Sequence, residues 1–467
     1  MKKHNLFKVI MITFAVVVLL SWIFDVTAFT GYGVTEGEKM QIGLLNIPSY
    51  LSIALQYFGH IGLYVLMVGG FYGVLHRIPA YRNLIDRMVN GFKGYEYLFM
   101  IIVMILFTLL SSIAGLSVAI ILFFPFVIAV ILAMGYDKIT AALVTVGSVS
   151  VGLIGTMYSD SNITGVATIL GVTSDSFTTD KVIILVISFA LLVFNVLWYA
   201  RSHRDTKNIV KGSYIPEKST DEKQKIWPLV VLMDFMLVFL TVAFVSWSAF
   251  KIDIFSKLHT KLLEYTILDF PLFRNLLGLT DRVYLGNWTL VEAILVIVIV
   301  SMVVAFAYRM RLNDYITSFM DGAKRALKAA VLVILSYIIL IGVTNVPTLM
   351  TIFKPMLELT KSMNVFTMSV ASFITCLFNG DTYYSAIAIL PYVANITYTD
   401  VNVEVLSVLF QSMYGLAALV APTSVVLLAT LSYMHIPYGK WLKAVWKLLL
   451  ELFVVLVIAL FIIAAIV

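Results

Sequence analysis

The chain of 467 residues is 61% hydrophobic and only 12% charged, with a mean hydropathy of +0.99. That balance excludes a soluble globular class, so the length counts one membrane domain where it would otherwise suggest about three soluble ones. The formal net charge of +6 comes from loops flanking apolar runs rather than a nucleic-acid patch, and the single cysteine, Cys376, excludes a disulfide within the chain.

The first apolar span is expected at Leu6–Phe29, behind Lys2, Lys3 and Lys8. No small-residue cleavage site follows, so it is read as an uncleaved helix rather than a signal peptide. A polar, Gly-broken outer loop then leads to an interfacial helix near Ile47–Tyr57 and a second span at Ile61–Leu75. His76, Arg77, Arg82, Arg87 and Lys93 follow that span and place its end inside. Residues 97–135 hold two apolar arms around Ser111–Gly115. Two crossings or one re-entrant hairpin would fit, and charge at both ends favours the hairpin.

The polar stretch Tyr158–Gly165 (YSDSNITG) interrupts an apolar run from about Ala141 to Val172. Its two arms, of about 17 and 7 residues, add up to one crossing. In hydrocarbon every backbone N–H and C=O needs a partner, so such a break survives only inside protein or beside a water-filled cavity. Further spans are expected at Val182–Ala200, Trp227–Ser248, Trp288–Tyr308 and Ala329–Thr344, with a basic loop at 201–227. Of the 32 Lys and Arg, 23 fall inside under this topology and nine outside. Five of the nine (Lys251, Lys257, Lys261, Arg274, Arg282) sit in one long loop, which the positive-inside rule discounts. The amino terminus is expected to be cytoplasmic and the protein multi-pass in the cell membrane.

The second half echoes the first at an offset of about 263 to 269 residues. Gly73 answers to Gly342, Pro79 to Pro347, Ser111–Gly115 to Phe378–Thr382, Pro125 to Pro391, and Tyr158–Gly165 to Ala421–Ser424. Single matches are weak, but five in order at near-constant spacing point to an internal repeat. The topology gives the two halves opposite polarity. The expected fold is an all-α polytopic membrane protein of two inverted-topology repeats with re-entrant hairpins and broken helices. Its expected parts are 1–60 (first helix and outer segment), 61–200 (repeat 1), 201–325 (basic loop and two spans) and 326–467 (repeat 2). Paired interruptions of this kind point to a transporter's midplane site.

The layout resembles the ion transporter superfamily. The SDSNITG break is similar to the Ser-Asn-Thr hairpin motif of its sodium–dicarboxylate members, and NGDTYYSAIAILPYVANI resembles a segment of CitM-type citrate carriers. The amino-terminal plan, with its GGFYGVL helix, looks closest to YfcC-like basic amino acid antiporters and C4-dicarboxylate carriers. The second break departs from the sodium–dicarboxylate pattern, reading APTS. The resemblance implies a secondary carrier with binding residues at the breaks and hairpin tips.

Read from the residues, Ser159, Asp160, Ser161, Asn162 and Thr164 supply polar groups at the first break, and Thr423 and Ser424 at the second. Ser111, Ser112, Asn379, Asp381 and Thr382 mark the hairpin tips. Asp160 and Asn162 are candidate Na⁺ ligands. Half-helix N-termini suit carboxylates, while C-termini and unwound carbonyls suit hard cations. The charges in these nodes, Asp160 and Asp381, are both acidic, which favours a cation: Na⁺, H⁺, or an ammonium or guanidinium group. Asp160 could be only an N-cap; a carboxylate at membrane depth favours a functional role. Asp381 could equally be a hydrated hairpin tip, and Tyr383 and Tyr384 could stack on a substrate, although aromatic side chains in membrane helices are more often packing or interface residues.

The sequence contains no Walker loop, nucleophile motif or metal-ligand histidine cluster, so no ATP-driven pump is expected. The leading expectation is a symporter or antiporter, not an enzyme, moving an amino acid or a carboxylate with an ion gradient. An Na⁺/H⁺ antiporter is the alternative, with a channel or an intramembrane enzyme behind it. No cofactor is expected beyond Na⁺ or H⁺ as coupling ion. The expected partners are a small-molecule or ion substrate and the lipid bilayer, with no nucleic acid; a homodimer is left open.

Overall fold

The computed structural model describes residues 5–24, 29–30, 33–34, 41–157, 166–172, 178–204, 214–216, 224–276, 284–346, 364–394 and 402–466. The chain is all-α apart from two two-residue ribbons. Among the described residues, seven helices are long and apolar enough to cross a membrane.

Helix α1 (Asn5–Ile23) ends earlier than the Leu6–Phe29 span expected from hydropathy. The interfacial helix at 47–57 and the span at 61–75 are one continuous helix, α2 (Asn46–Leu75). Gly59 and His60 look like a boundary in sequence, yet a lone helical Gly costs only about 1 kcal/mol, which packing overrides. After α3 (Pro79–Gly91) the chain bends by 114° into α4 (Glu96–Ser112). A short turn leads to α5 (Ala119–Ala133), whose first turn is a tight 3₁₀ segment, and then α6 (Lys138–Ile154), which carries one π-helical turn at Leu143–Gly147.

The later helices are α7 (Thr178–Ser202), α8 (Trp227–Phe244), α9 (Ile254–Glu264), α10 (Leu290–Ala307) and α11 (Leu312–Asn345). They are followed by α12 (Val365–Phe378), α13 (Thr382–Ala394), α14 (Val403–Ala418), α15 (Val425–Met434) and α16 (Tyr438–Ile466). The span expected at 329–344 is only the second half of α11, because Lys324, Arg325 and Lys328, which suggest a loop in sequence, ride the helix. At 30 and 34 residues, α2 and α11 are about 45 and 51 Å long, well beyond the ~30 Å hydrocarbon core.

These two helices form the spine. The most apolar window of α11 is 67% buried, against 28% for α1, α7, α8 and α16, so α11 is central and the others line the periphery. Their seam uses small residues at four-residue spacing: Gly69 and Gly73 on α2, and Ser318, Gly322, Ala326 and Ala330 on α11. A β-carbon on Gly73 would come within 2.7 Å of the Gly322 α-carbon and would overlap the Ser318 carbonyl oxygen. In lipid, where hydrophobicity does not drive helices together, such close backbone approach is what packs them.

The remaining packing pairs correspond between the halves. Helix α4 packs on α6 and α12 on α14; α6 and α14 cross each other; α7 packs on α6 and α16 on α14. Helix α10 packs on α2, and α1 on α11. The halves are also tied at their ends. Lys138 of α6 donates from Nζ to the Met434 carbonyl at the end of α15 (2.9 Å), a cation where the helix dipole is negative.

Candidate functional site

The paired breaks follow from residue chemistry. Helix α12 stops at Phe378, and α13 restarts at Thr382 with Asp381 as its cap. The Asp381 carboxylate accepts from the backbone N–H groups of Tyr383 (3.0 Å) and Tyr384 (3.2 Å), the role of an N-cap. Helix α14 stops at Ala418, and Pro422 cannot donate a helical hydrogen bond, so α15 starts afresh at Val425. The Ser424 hydroxyl caps it by accepting from the Leu427 N–H (3.4 Å).

The carbonyls freed by these breaks find partners, as the membrane requires. The Trp441 indole donates to the Leu419 carbonyl (2.9 Å), and the Tyr438 hydroxyl donates to Val420. At the end of α6, Ser112 donates to the Gly155 carbonyl and Ser412 to Ile154 (3.4 Å). Ser111 donates to Val149 (3.1 Å). Ser111 and Ser112, expected to line a binding tip, therefore fasten the first hairpin to α6 and do not line the cavity described next. Thr423 likewise fastens the second break to the second hairpin, donating to the Leu377 carbonyl (3.1 Å).

Three of the four expected nodes meet around one cavity of about 460 Å³. The first hairpin contributes Ala114 and Gly115, the second Asn379 to Thr382, and the second break Ala421 and Ser424. The fourth node, with Ser159, Asp160, Ser161, Asn162 and Thr164, lies outside the described residues. Asn379 is fully buried in the cavity wall, and neither its amide nitrogen nor its oxygen has a hydrogen-bond partner among the described residues. Asp381 is the sole carboxylate among the described lining residues, and no Lys or Arg is among them.

Several lining residues are not among those that sequence reasoning selects. Tyr337 of α11 stacks on Phe58 (centroids 4.1 Å apart, planes within 9°), and Tyr384 meets Phe58 edge-on at 5.8 Å. Tyr414 donates to the Gly380 carbonyl (3.0 Å), and Cys376 lines the wall. Tyr337 and Cys376 sit in apolar runs where composition offers no signal, whereas Tyr384 adjoins Asp381 and Tyr414 lies in the arm before the second break.

A second cavity of about 340 Å³ lies further along the same helices. The first is lined by Ile61 of α2, Ala119 of α5, Tyr337 of α11 and Val426 of α15. The second is lined by Val65, Ile121, Ala329 and Ala429 of those four helices. The layer between includes Tyr64, fully buried, whose hydroxyl donates to the Ala119 carbonyl. On α2 it is about one helical turn thick.

A helical membrane protein with hairpins and broken helices closing on a polar cavity is a solute transporter in architecture. The profile of the C4-dicarboxylate anaerobic carrier family (DcuC) matches residues 34–465, and the chain belongs to that family. It is 23% identical over 445 residues to the putative basic amino acid antiporter YfcC of Escherichia coli (strain K12), covering 90% of this chain and 81% of the relative. An uncharacterized protein of Haemophilus influenzae is 25% identical over 143 residues, 30% of this chain and 27% of its own. Among solved structures, the Alcanivorax borkumensis YdaH transporter aligns over 98% of this chain and 97% of its own at 14% identity, with a TM-score of 0.43. Neisseria gonorrhoeae MtrF, from a class of antimetabolite efflux pumps, aligns over 98% and 94% at 11% identity, with a TM-score of 0.38. The chain is thus a multi-pass membrane transporter, with a small molecule or ion as substrate.

Proposed function

We propose that the protein is an ion-gradient-coupled secondary transporter of an amino acid, and that the 460 Å³ cavity holds the substrate and its coupling cation. The observation that carries this reading is Asn379, a residue of the cavity wall beside Asp381 whose fully buried amide has no donor or acceptor partner among the described residues. Buried polar atoms are almost always paired, so an orphaned amide in a cavity wall points to a ligand that pairs it. A wall whose described residues include a carboxylate and no Lys or Arg suits an ammonium or guanidinium group. The YfcC relative, a putative basic amino acid antiporter, supports the same class.

The reading includes two repeats of opposite polarity, the amino terminus inside, the first break as the fourth wall and Asp160 as a ligand of the coupling ion. The matched packing pairs and the basic-residue distribution support it. Uptake of labelled arginine, ornithine, succinate and citrate into proteoliposomes tests it under imposed Na⁺ or H⁺ gradients. Gradient-driven uptake of arginine or ornithine is expected, and it should be lost in Asp160→Asn while the protein still folds. Preference for succinate would overturn the amino acid assignment, and conductance far above carrier turnover would overturn the carrier. A cysteine at Ser213 should resist impermeant reagents applied to intact cells; labelling there would reverse the topology.

A further inference from the structure

We propose that the second cavity is a separate binding site for the carboxylate of a small organic anion, anchored by Arg325. Its lining is largely apolar, including Val65, Val68, Ile121, Phe124, Ile128 and Ala329, with a set of polar residues among them. The polar set includes Arg325, His76 and His435 with Tyr72 and Tyr433, and no carboxylate is among the cavity's described lining residues. Asp321, one turn from Arg325, lines an adjoining hollow that Arg325 and His76 also line, and is ion-paired with Lys324 at 3.8 Å. Arg325 has no ion pair or hydrogen bond among the described residues, and the buried hydroxyl of Tyr72 has no hydrogen-bond partner.

A guanidinium presents a planar fork of donors that matches a carboxylate, and an unpaired buried hydroxyl beside it supplies one more. The site is opposite in sign to the first cavity, where the formal charge is Asp381. The alternative is that Arg325, in the interior of α11, merely snorkels toward lipid headgroups. Arg325 is exposed, but it lines the same cavity as a buried hydroxyl that has no partner among the described residues, and that pairing favours a bound solute. The inference does not depend on the substrate proposed above, because it concerns the carboxylate and not the rest of the molecule.

The test is cysteine protection in the full-length protein in detergent, on a Cys376→Ser background. Ala429→Cys reports the second cavity and Ser117→Cys the first. Ala329→Cys replaces Ala429→Cys if the latter is not monodisperse. Labelling by N-ethylmaleimide is followed with succinate, arginine or argininamide, which is arginine without its carboxylate. Succinate and arginine should protect the second-cavity cysteine, and argininamide should not. Arg325→Gln should weaken that protection roughly ten- to a hundredfold, the range of a lost charge-assisted hydrogen bond, and leave protection at Ser117→Cys unchanged. Equal protection by argininamide, protection surviving Arg325→Gln, loss at both reporters together, or no protection by either carboxylate would each overturn the proposal.

Discussion

Gly380 at the tip of the second hairpin touches Thr423 in the second break so closely that a β-carbon on the glycine would overlap the threonine's carbonyl oxygen. The obstacle is backbone and cannot rotate away. Hairpin and break are therefore seated on each other at the cavity wall, where a small displacement moves Asn379 and Ser424 together.

Gly380→Ala should disturb that seat. Overpacking of this kind costs typically 1–3 kcal/mol, so the variant should fold with a lowered melting temperature and lose most uptake. Gly439→Ala, where an added β-carbon meets nothing within 4 Å, is the control and should behave as wild type. Wild-type uptake by a well-folded Gly380→Ala protein would show that the seat does not matter.

Asn379→Leu separates a structural role from a binding one. Replacing an unpaired buried amide with an apolar group of similar size removes a desolvation penalty, so melting temperature should hold or rise. Uptake should nevertheless be abolished. An Asn379→Leu protein that transports normally would remove this residue from the site.

The aromatic caps at the second break give a stability test. Trp441→Phe leaves the Leu419 carbonyl without its donor, and Tyr438→Phe does the same to Val420. Each should cost about 1–3 kcal/mol by thermal unfolding in detergent. Unchanged midpoints for both would mean that water or a neighbouring group replaces them.

His76, just past the end of α2, is pushed down to about 4 from an ordinary 6.5, first by burial and then by Arg325. The titratable and charged groups around it are Arg325 and Asp321 from α11, Tyr433 and His435 at the end of α15, Arg77 beside it, Tyr72 on its own helix and Tyr81 from α3, whose ring lies 5.6 Å away. Between those two values the unfolded chain binds the proton more readily than the folded one. The corresponding stability is complete above about 6.5 and is lost as pH falls toward 4. His76→Gln should be less sensitive to acid over that window than the wild type. Parallel stability curves for the two proteins would refute this.

The breaks were the most legible part of the sequence, because a Gly, Pro or Asp inside an apolar run has few explanations in a membrane. Phe378–Thr382 and Ala421–Ser424 fall where the helices stop. The long helices were the least legible. Gly59-His60 in α2 and the basic residues of α11 resemble boundaries, yet tertiary packing carries each helix straight through. At the site, the hydroxyls of Ser111, Ser112 and Thr423 mark the right places but face backbone carbonyls, a distinction that residue type cannot make. The second cavity was not legible at all. Its wall is drawn from four helices far apart in the chain, and its arginine looks like any other basic residue at the edge of an apolar run.

The spine of α2 and α11 has a consequence for how the sequence can drift. A β-carbon at Gly73 collides with main-chain atoms of Ser318 and Gly322, and one at Gly322 collides with main-chain atoms of Gly69 and Gly73. No substitution on the opposite helix can make room, because the obstructing atoms belong to every amino acid. A library randomised at 73 and 322 and selected for function should return glycine at both, whereas 326 and 330 should accept any residue no larger than alanine or serine. These two positions have no second-site suppressors within the seam, so evolution can leave them only by remaking the whole helix pair.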